Sequence, residues 1–490
     1  MLVLFLTAAV FSSSAKANVW ENQNQWSGEW EQKYKDWLRK TPNVHFFSKE
    51  INDDGTPNPY YGIRVDCADL VYSLRIIFSY ENKLPFAMHN PTSPQGALIT
   101  NSIKRYDKYP DGVPRLKEYL LWIYDIASTH SLPLDTYSVA FKDVGPGIMI
   151  VTTTKNHHSW TIRNISKAGN PTLIYNSTVG RESGFEVQER QSWPNSFWVF
   201  EPEVDPTDDT KSINIYVPGS YAGFRYWRPV DQMNAPENTI PGYSEEQFLV
   251  GVANWKAAAQ KVLATTVESI DQVVFRLLRD ACSDLKQRVA AVNEAEKYKV
   301  LLAQALASGA TAAENPYIQD IEQDHDKPSD LRCMIGKSFD EFSTPSRDRR
   351  LTDALILARA YFQLGISKNG EKAFSSSSLK IFETIFPYIS KTANEEAALD
   401  SVPKSAANFC SVQLNPHLGS ISLAEVKRRT FKGLLSSNPN DAITVRFGFP
   451  KTSNDLGEQC PSFGFKQANA DLNQSEYEAN RDASSSLQAL

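Results

Sequence analysis

Trp26, Trp30, Tyr34 and Trp37 follow one another at steps of four, four and three, which puts the four rings on one face of a helix. A stripe of this kind, with Trp20 just ahead of it, reads as a packing face rather than a sugar platform. The turn-rich stretch Asp53-Asp54-Gly55-Thr56-Pro57-Asn58-Pro59 then breaks the pattern. A second helix is predicted over about 66–80, where Leu70, Val71, Leu74, Ile77 and Phe78 keep a 3.6-residue register. A third is predicted over 116–126. From about Ser138 the period shortens. Ile148 to Val151, Ser159 to Ile165, Thr172 to Tyr175 and Phe197 to Phe200 are short β-branched or aromatic runs separated by Gly/Pro/Asn turns, which predicts a meander of antiparallel strands. That section closes around Ile213 to Val230.

The second half returns to helical spacing. Ser244 with Gln247 has the form of a capping box ahead of Phe248, Val252, Trp255 and Val262. A long helix is predicted over 267–305, with Ile270, Val274, Leu277, Leu278, Cys282, Leu285, Val289 and Val292 on its buried side. Thr344-Pro345 suits an N-cap and first-turn proline before a helix around 351–362. From about Gln467 the chain is polar. The expected fold class is α+β: N-terminal helices packed on an antiparallel sheet over 18–235, a mainly helical domain over 244–465, and a polar tail over 466–490.

Charge and cysteine content narrow the function. With a net charge of -6 and no basic stripe, the chain has nothing with which to neutralise phosphates, so no nucleic-acid partner is expected. The run Leu2 to Phe11, followed by three serines and Ala15-Lys16-Ala17, has the form of a secretory leader over 1–17 cleaved after Ala17. No other segment is apolar for long enough to need a membrane, so the mature chain is expected in the periplasm or secreted, with no integral membrane segment. Of five cysteines, Cys282, Cys333, Cys410 and Cys460 lie in the second half. They allow two bridges in an oxidising compartment, and pairing of sequence neighbours gives Cys282–Cys333 and Cys410–Cys460. Cys67 is left as a lone thiol.

Cys67 stands in Val65-Asp66-Cys67-Ala68-Asp69-Leu70, at the predicted start of a helix. The partial positive charge at a helix N-terminus stabilises a thiolate, the nucleophilic form. His157-His158 precede a strand, and alternation lets only one of them face Cys67. His158 keeps Trp160 and Ile162 on its own face and is the favoured base, with His157 in reserve. Asn176, ending the next strand, has the chemistry to accept the second ring N–H and hold the tautomer. Asp66 and Asp69, three apart on one helix, could form an acid–base pair, but a capping role for Asp66 is the simpler account. The remaining histidines are scattered without metal-ligand spacing, and no phosphate-cradling glycine loop is present, so no metal or other cofactor is expected.

Tyr60-Tyr61-Gly62, then Asp66-Cys67-Ala68-Asp69-Leu70-Val71 and Leu84-Pro85, resemble the nucleophile segment of NlpC-type cell-wall endopeptidases. Pro146-Gly147-Ile148-Met149, followed by His158 at a strand start, resembles the same family's second block. Asp-Cys-x-Asp at Asp66 to Asp69, His158-Ser159-Trp160 and Asn176-Ser177-Thr178 also resemble the transglutaminase-like families. Both groups share the papain-like fold. Ala68 and Asp69 depart from the Ser-Gly of the first group, and Asn176 from the Asp of the second. The resemblance implies a cysteine hydrolase with Cys67, His158 and Asn176 as its triad and Tyr61, Asp66 and Trp160 at the substrate. The expected substrate is a peptidoglycan stem peptide. The alternatives are a transglutaminase-like protease or amide transferase acting on proteins, and an inactive envelope-binding or scaffold protein.

Overall fold

The computed structural model describes residues 18–93, 96–153, 157–177, 186–205, 207–322, 330–335, 338–339, 342–387, 409–415, 418–450 and 460. The leader, the polar tail and Thr178 lie outside the described residues. The chain is mixed α and β, with a six-stranded antiparallel sheet and a helical C-terminal region. It divides into two compact units. The first takes the described residues up to Asn164, Tyr175–Ser177 and Asn195–Ala259; the second takes Ile165–Ile174, the described part of 178–194, and the described residues from Gln260 onward.

Three helices open the first unit: α1 (Gly28–Lys40), α2 (Cys67–Glu81) and α3 (Val113–Ile126). The aromatic stripe is a packing face. Trp26 and Tyr34 lie against Phe78 of α2 at ring-centroid distances of 5.9 and 5.2 Å. The Arg75 guanidinium sits 3.4 Å over the Trp26 ring and pairs with both carboxylate oxygens of Glu31 at 2.9 and 2.6 Å. Almost wholly buried, Arg75 is kept charged by that pairing, and the Tyr226 hydroxyl donates to the same carboxylate at 2.6 Å. Helix α2 is buried along nearly its whole length, so its period marks a core helix rather than a surface one.

The six strands are β1 (Thr136–Ser138), β2 (Met149–Thr152), β3 (His158–Ile165), β4 (Pro171–Tyr175), β5 (Gln188–Arg190) and β6 (Gly223–Trp227), in the order β1-β6-β2-β3-β4-β5. Strands β2 to β4 form the expected meander, β5 extends it where no strand was expected, and β6 returns to insert between β1 and β2. In register, Thr152 faces His158, Val151 faces Ser159 and Ile150 faces Trp160.

Two local expectations are corrected. Phe197 to Phe200 is not a strand: Ser196–Val199 is a helical turn whose N-cap Asn195 accepts from the Phe197 N–H at 2.9 Å. The asparagine cap after Pro194 overrides the aromatic β preference. Ser244 and Gln247 do not cap the next helix either, because α4 (Val252–Leu263) begins only after Gly251, at φ +82. Gln247 is instead fully buried. Its carboxamide donates to Ser138 Oγ at 2.7 Å and to the Phe224 carbonyl at 3.0 Å, and accepts from the Phe224 N–H at 2.8 Å. A Cβ on Gly223 (φ +90) would collide with that carboxamide, so the position requires glycine.

The second unit is built on α5 (Ile270–Ala307) and α6 (Pro345–Asn369), followed by α7 (Ser376–Ile385) and α8 (Leu423–Phe431). Helix α5 starts at a full capping box, Ser269 with Gln272. Its stripe of Val274, Leu277, Leu278, Ala281, Leu285, Val289 and Val292 packs on Leu351, Leu355, Ala358 and Phe362 of α6. The disulfides are Cys282–Cys410 and Cys333–Cys460, not the neighbour pairs. The strand after Cys410 sends Leu414 into the α5 core, which carries Cys410 onto Cys282. The two bridges close loops of 128 and 127 residues. By the chain-entropy account each restricts the unfolded chain by about 4–5 kcal/mol. Among the described residues no helix is long and apolar enough to cross a membrane.

Candidate active site

Cys67 is the first residue of α2 and the only free cysteine of the chain. Its position is set by a complete capping box. The Asp69 N–H donates to Asp66 Oδ1 at 2.9 Å, and the Asp66 N–H donates to Asp69 Oδ2 at 3.0 Å. Asp66, expected at the substrate, therefore spends one carboxylate oxygen on the helix start. The two carboxylates also crowd each other: burial, and then the charge of Asp66, push the Asp69 carboxyl up to about 8. The helix is pinned to the sheet at the same point, because Ser159 Oγ donates to the Cys67 carbonyl at 2.8 Å.

The thiol itself is hydrogen-bonded to Thr129 Oγ1 at 3.1 Å. Cys67 is 8% exposed, and burial, followed by the charge of Asp66, pushes its thiol up to about 11. The helix N-terminus does not outweigh these two effects. Cys67 thus rests as a neutral thiol and becomes a nucleophile only when a base takes its proton.

Alternation along β3 sorts the two histidines. Ser159 touches Cys67, so the face of β3 that carries Ser159 looks toward the start of α2. His157, two residues earlier, belongs to that parity. Its ring lies 4.7 Å from that of His130, the residue after Thr129. His158 has the other parity and sits among aromatics: its ring is 4.4 Å from Trp160, 5.6 Å from Tyr175 and stacked at 5.8 Å on Trp198. Trp160 is 1% exposed and packs edge-on against Trp198 at 4.9 Å, which leaves it no surface for a substrate. Tyr175 reaches the His158 ring, so Asn176, the next residue, has the parity of His157. Asn176 is buried, and its Oδ1 accepts from the Ser177 N–H at 2.9 Å. Tyr61 presents an exposed ring, whereas Tyr60 is buried and donates to Glu81 at 2.8 Å.

A second polar constellation stands behind the Thr129–His130 loop. Asp135, fully buried, accepts from the Tyr72 hydroxyl at 2.6 Å and from the His89 N–H at 2.7 Å, and lies 2.9 Å from His89 Nδ1. His89 Nε2 lies 3.2 Å from Asn234 Oδ1. The Tyr72 hydroxyl is 3.3 Å from Ser131 Oγ, which closes the loop onto the Ser128 carbonyl at 2.8 Å. The hydrogen bond to Asp135 holds the His89 ring above the ordinary histidine pKa. This chain of contacts fixes the loop that carries Thr129 and His130. Thr129, His130, Ser159 and the Tyr72–Asp135–His89 chain were not singled out as site residues by sequence reasoning. Only Ser159, a small polar residue between two bulky ones on a strand, left a local signal.

Among the described residues no group of three or more His, Cys, Asp or Glu side chains is arranged to hold a metal ion. No protein-family model, curated protein or solved structure matches this chain.

Proposed function

We propose that the first unit is a papain-like cysteine hydrolase in which Cys67 attacks an amide carbonyl and His157, rather than His158, takes its proton. What supports this reading is strand parity: the Ser159 hydrogen bond turns one face of β3 toward the start of α2, His157 shares the parity of Ser159, and its ring pairs with that of His130, the residue after the thiol's partner Thr129. The proton of Cys67 passes to the imidazole as the sulfur–carbon bond forms. The imidazolium then returns it to the leaving amine as the carbon–nitrogen bond breaks, and water releases the acyl group. N–H groups of the first turn of α2 point along the helix axis and suit the oxyanion. Asn176, on the parity of His157, orients the imidazole.

The two disulfides favour an oxidising compartment, periplasmic or extracellular. Together with the likeness to NlpC-type endopeptidases, that makes a peptidoglycan stem peptide the preferred substrate. A second reading, an inactive papain-like domain in an envelope-binding protein, draws on the burial of Cys67 and its raised thiol pKa. Incubation of the full chain with purified stem peptides separates the two. Release of a new amine by the wild type, lost in Cys67→Ala, supports hydrolysis. Binding without cleavage supports the second reading, and equal cleavage by both proteins rules out Cys67.

A further inference from the structure

Cys67 Sγ and Thr129 Oγ1, 3.1 Å apart, bring two protons to one hydrogen bond. Each atom carries a single hydrogen, and only one of them can lie on the line between the two. Thr129 is 1% exposed, so its hydroxyl is shut off from bulk water. Among the described residues the sulfur is the only group at hydrogen-bond distance from that hydroxyl. The Ser131 hydroxyl of the same loop is taken up locally: it accepts from the Ser128 N–H at 2.9 Å and donates to the Ser128 carbonyl at 2.8 Å.

The two ways of filling that line differ in what each leaves unmet. If the thiol donates, a buried hydroxyl proton is left without an acceptor, which is costly. If the hydroxyl donates, the unmet group is an S–H, a weak donor that loses little by it. The second arrangement is therefore the stable one. Burial and then the charge of Asp66 weigh against ionisation of the sulfur; the Thr129 hydroxyl and the backbone N–H groups of Ser159 and Ala68 act the other way. The other titratable groups of the site are Asp69, capped against Asp66 on α2, His130 next to Thr129, and His157 on the approach to β3.

We propose that Thr129 is the thiolate-stabilising residue of this site: its hydroxyl donates to Cys67 Sγ and leaves the thiol proton directed away from it, free for the base to take. When that proton leaves, the neutral hydrogen bond becomes a charge-assisted one without a change of partner. The donor is in place before the sulfur ionises, so no reorganisation is needed at that moment. The assignment rests on reading Cys67 as the nucleophile, but the donor role concerns the thiol alone and holds whichever amide is cleaved.

The test is iodoacetamide alkylation of the full chain at pH 9 in wild type, Thr129→Val and Thr129→Ser. Valine keeps the shape and removes the donor; serine keeps the donor. One hydrogen bond to an ionised group shifts a pKa by about 1–2 units. The smaller thiolate fraction is partly offset by a rise in intrinsic nucleophilicity, so Thr129→Val is expected to react roughly 3- to 15-fold more slowly. Its pH profile moves to higher pH, and Thr129→Ser reacts at the wild-type rate. Thr129→Val as fast as wild type or faster, or Thr129→Ser as slow as Thr129→Val, would overturn the proposal. Should Thr129→Val not fold, the S–H infrared stretch of His157→Ala decides, because Cys67 is the only free cysteine and the proposed base is gone. A stretch at the frequency of a thiol that donates no hydrogen bond is the supporting result; a lowered one would make Thr129 the acceptor and overturn the assignment. Neither readout uses a substrate, so a failure of hydrolysis and a failure of this role are told apart.

Discussion

The two faces of strand β3 keep unlike company. On one, Ser159 holds the carbonyl of Cys67 at 2.8 Å, and His157 lies against His130 beside the thiol's partner Thr129. On the other, His158 is packed among Trp160, Tyr175 and Trp198. Two adjacent histidines thus have different surroundings: the first lies against a second imidazole, the second against three aromatic rings. Ring contacts of the second kind contribute packing area. Under the proposed mechanism the first is the proton acceptor.

The sharpest way to break this comparison is to remove each ring in turn. His157→Ala is expected to lower amide hydrolysis by about 10²–10⁴-fold, the usual worth of a general base. His158→Ala is expected to cost stability, about 1–2 kcal/mol from lost ring contacts, with turnover kept within roughly tenfold. Parallel measurement of kcat/KM and the urea midpoint checks both; the reverse pattern would return the base to His158.

Next in size is Asp135→Ala. It leaves the Tyr72 hydroxyl and the His89 N–H groups without their buried acceptor, and the expected loss is about 3 kcal/mol. Because the same chain reaches Ser131, faster amide exchange in the Thr129–His130 loop is expected alongside it. A stable variant with an unchanged loop would mean that the polar side of the site does not depend on this support.

The remaining effect concerns the cap and is read in its pH dependence. In the fold Asp69 titrates at about 8, raised by burial and by Asp66. A raised carboxyl contributes stability that is present below the ordinary carboxylate pKa and is lost as pH rises to about 8. Asp69→Asn does not ionise and keeps an oxygen acceptor for the Asp66 N–H. Relative to wild type it should therefore gain stability steadily between about pH 4 and 8. A constant difference across that range would show that the two carboxylates are not in conflict beside Cys67.

Much of the frame was legible in the chain. The register of Leu70, Val71, Leu74, Ile77 and Phe78 marks α2, and Asp66 caps it as its position before Cys67 suggests. The alternating runs mark β2 to β4 because local period and burial agree there. What failed was either a competing local signal or a long-range one. The Asn195 cap turned the aromatic run at Phe197 into a helix. The disulfide partners depend on how the second unit folds back on α5, which spacing does not encode. Which of His157 and His158 faces Cys67 depends on the face of β3 that meets α2, a tertiary contact that spacing leaves open. Thr129, 62 residues from Cys67 in sequence, carried no signal at all.

The most direct measurement is the rate of Cys67 alkylation by iodoacetamide as a function of pH in wild type, His157→Ala and His158→Ala. The free thiol alone ionises only toward about 11. A histidine-dependent phase below pH 8 that vanishes in His157→Ala and survives in His158→Ala is the expected result. Three superimposable profiles that follow thiol ionisation alone would contradict the account and leave Cys67 a buried structural thiol.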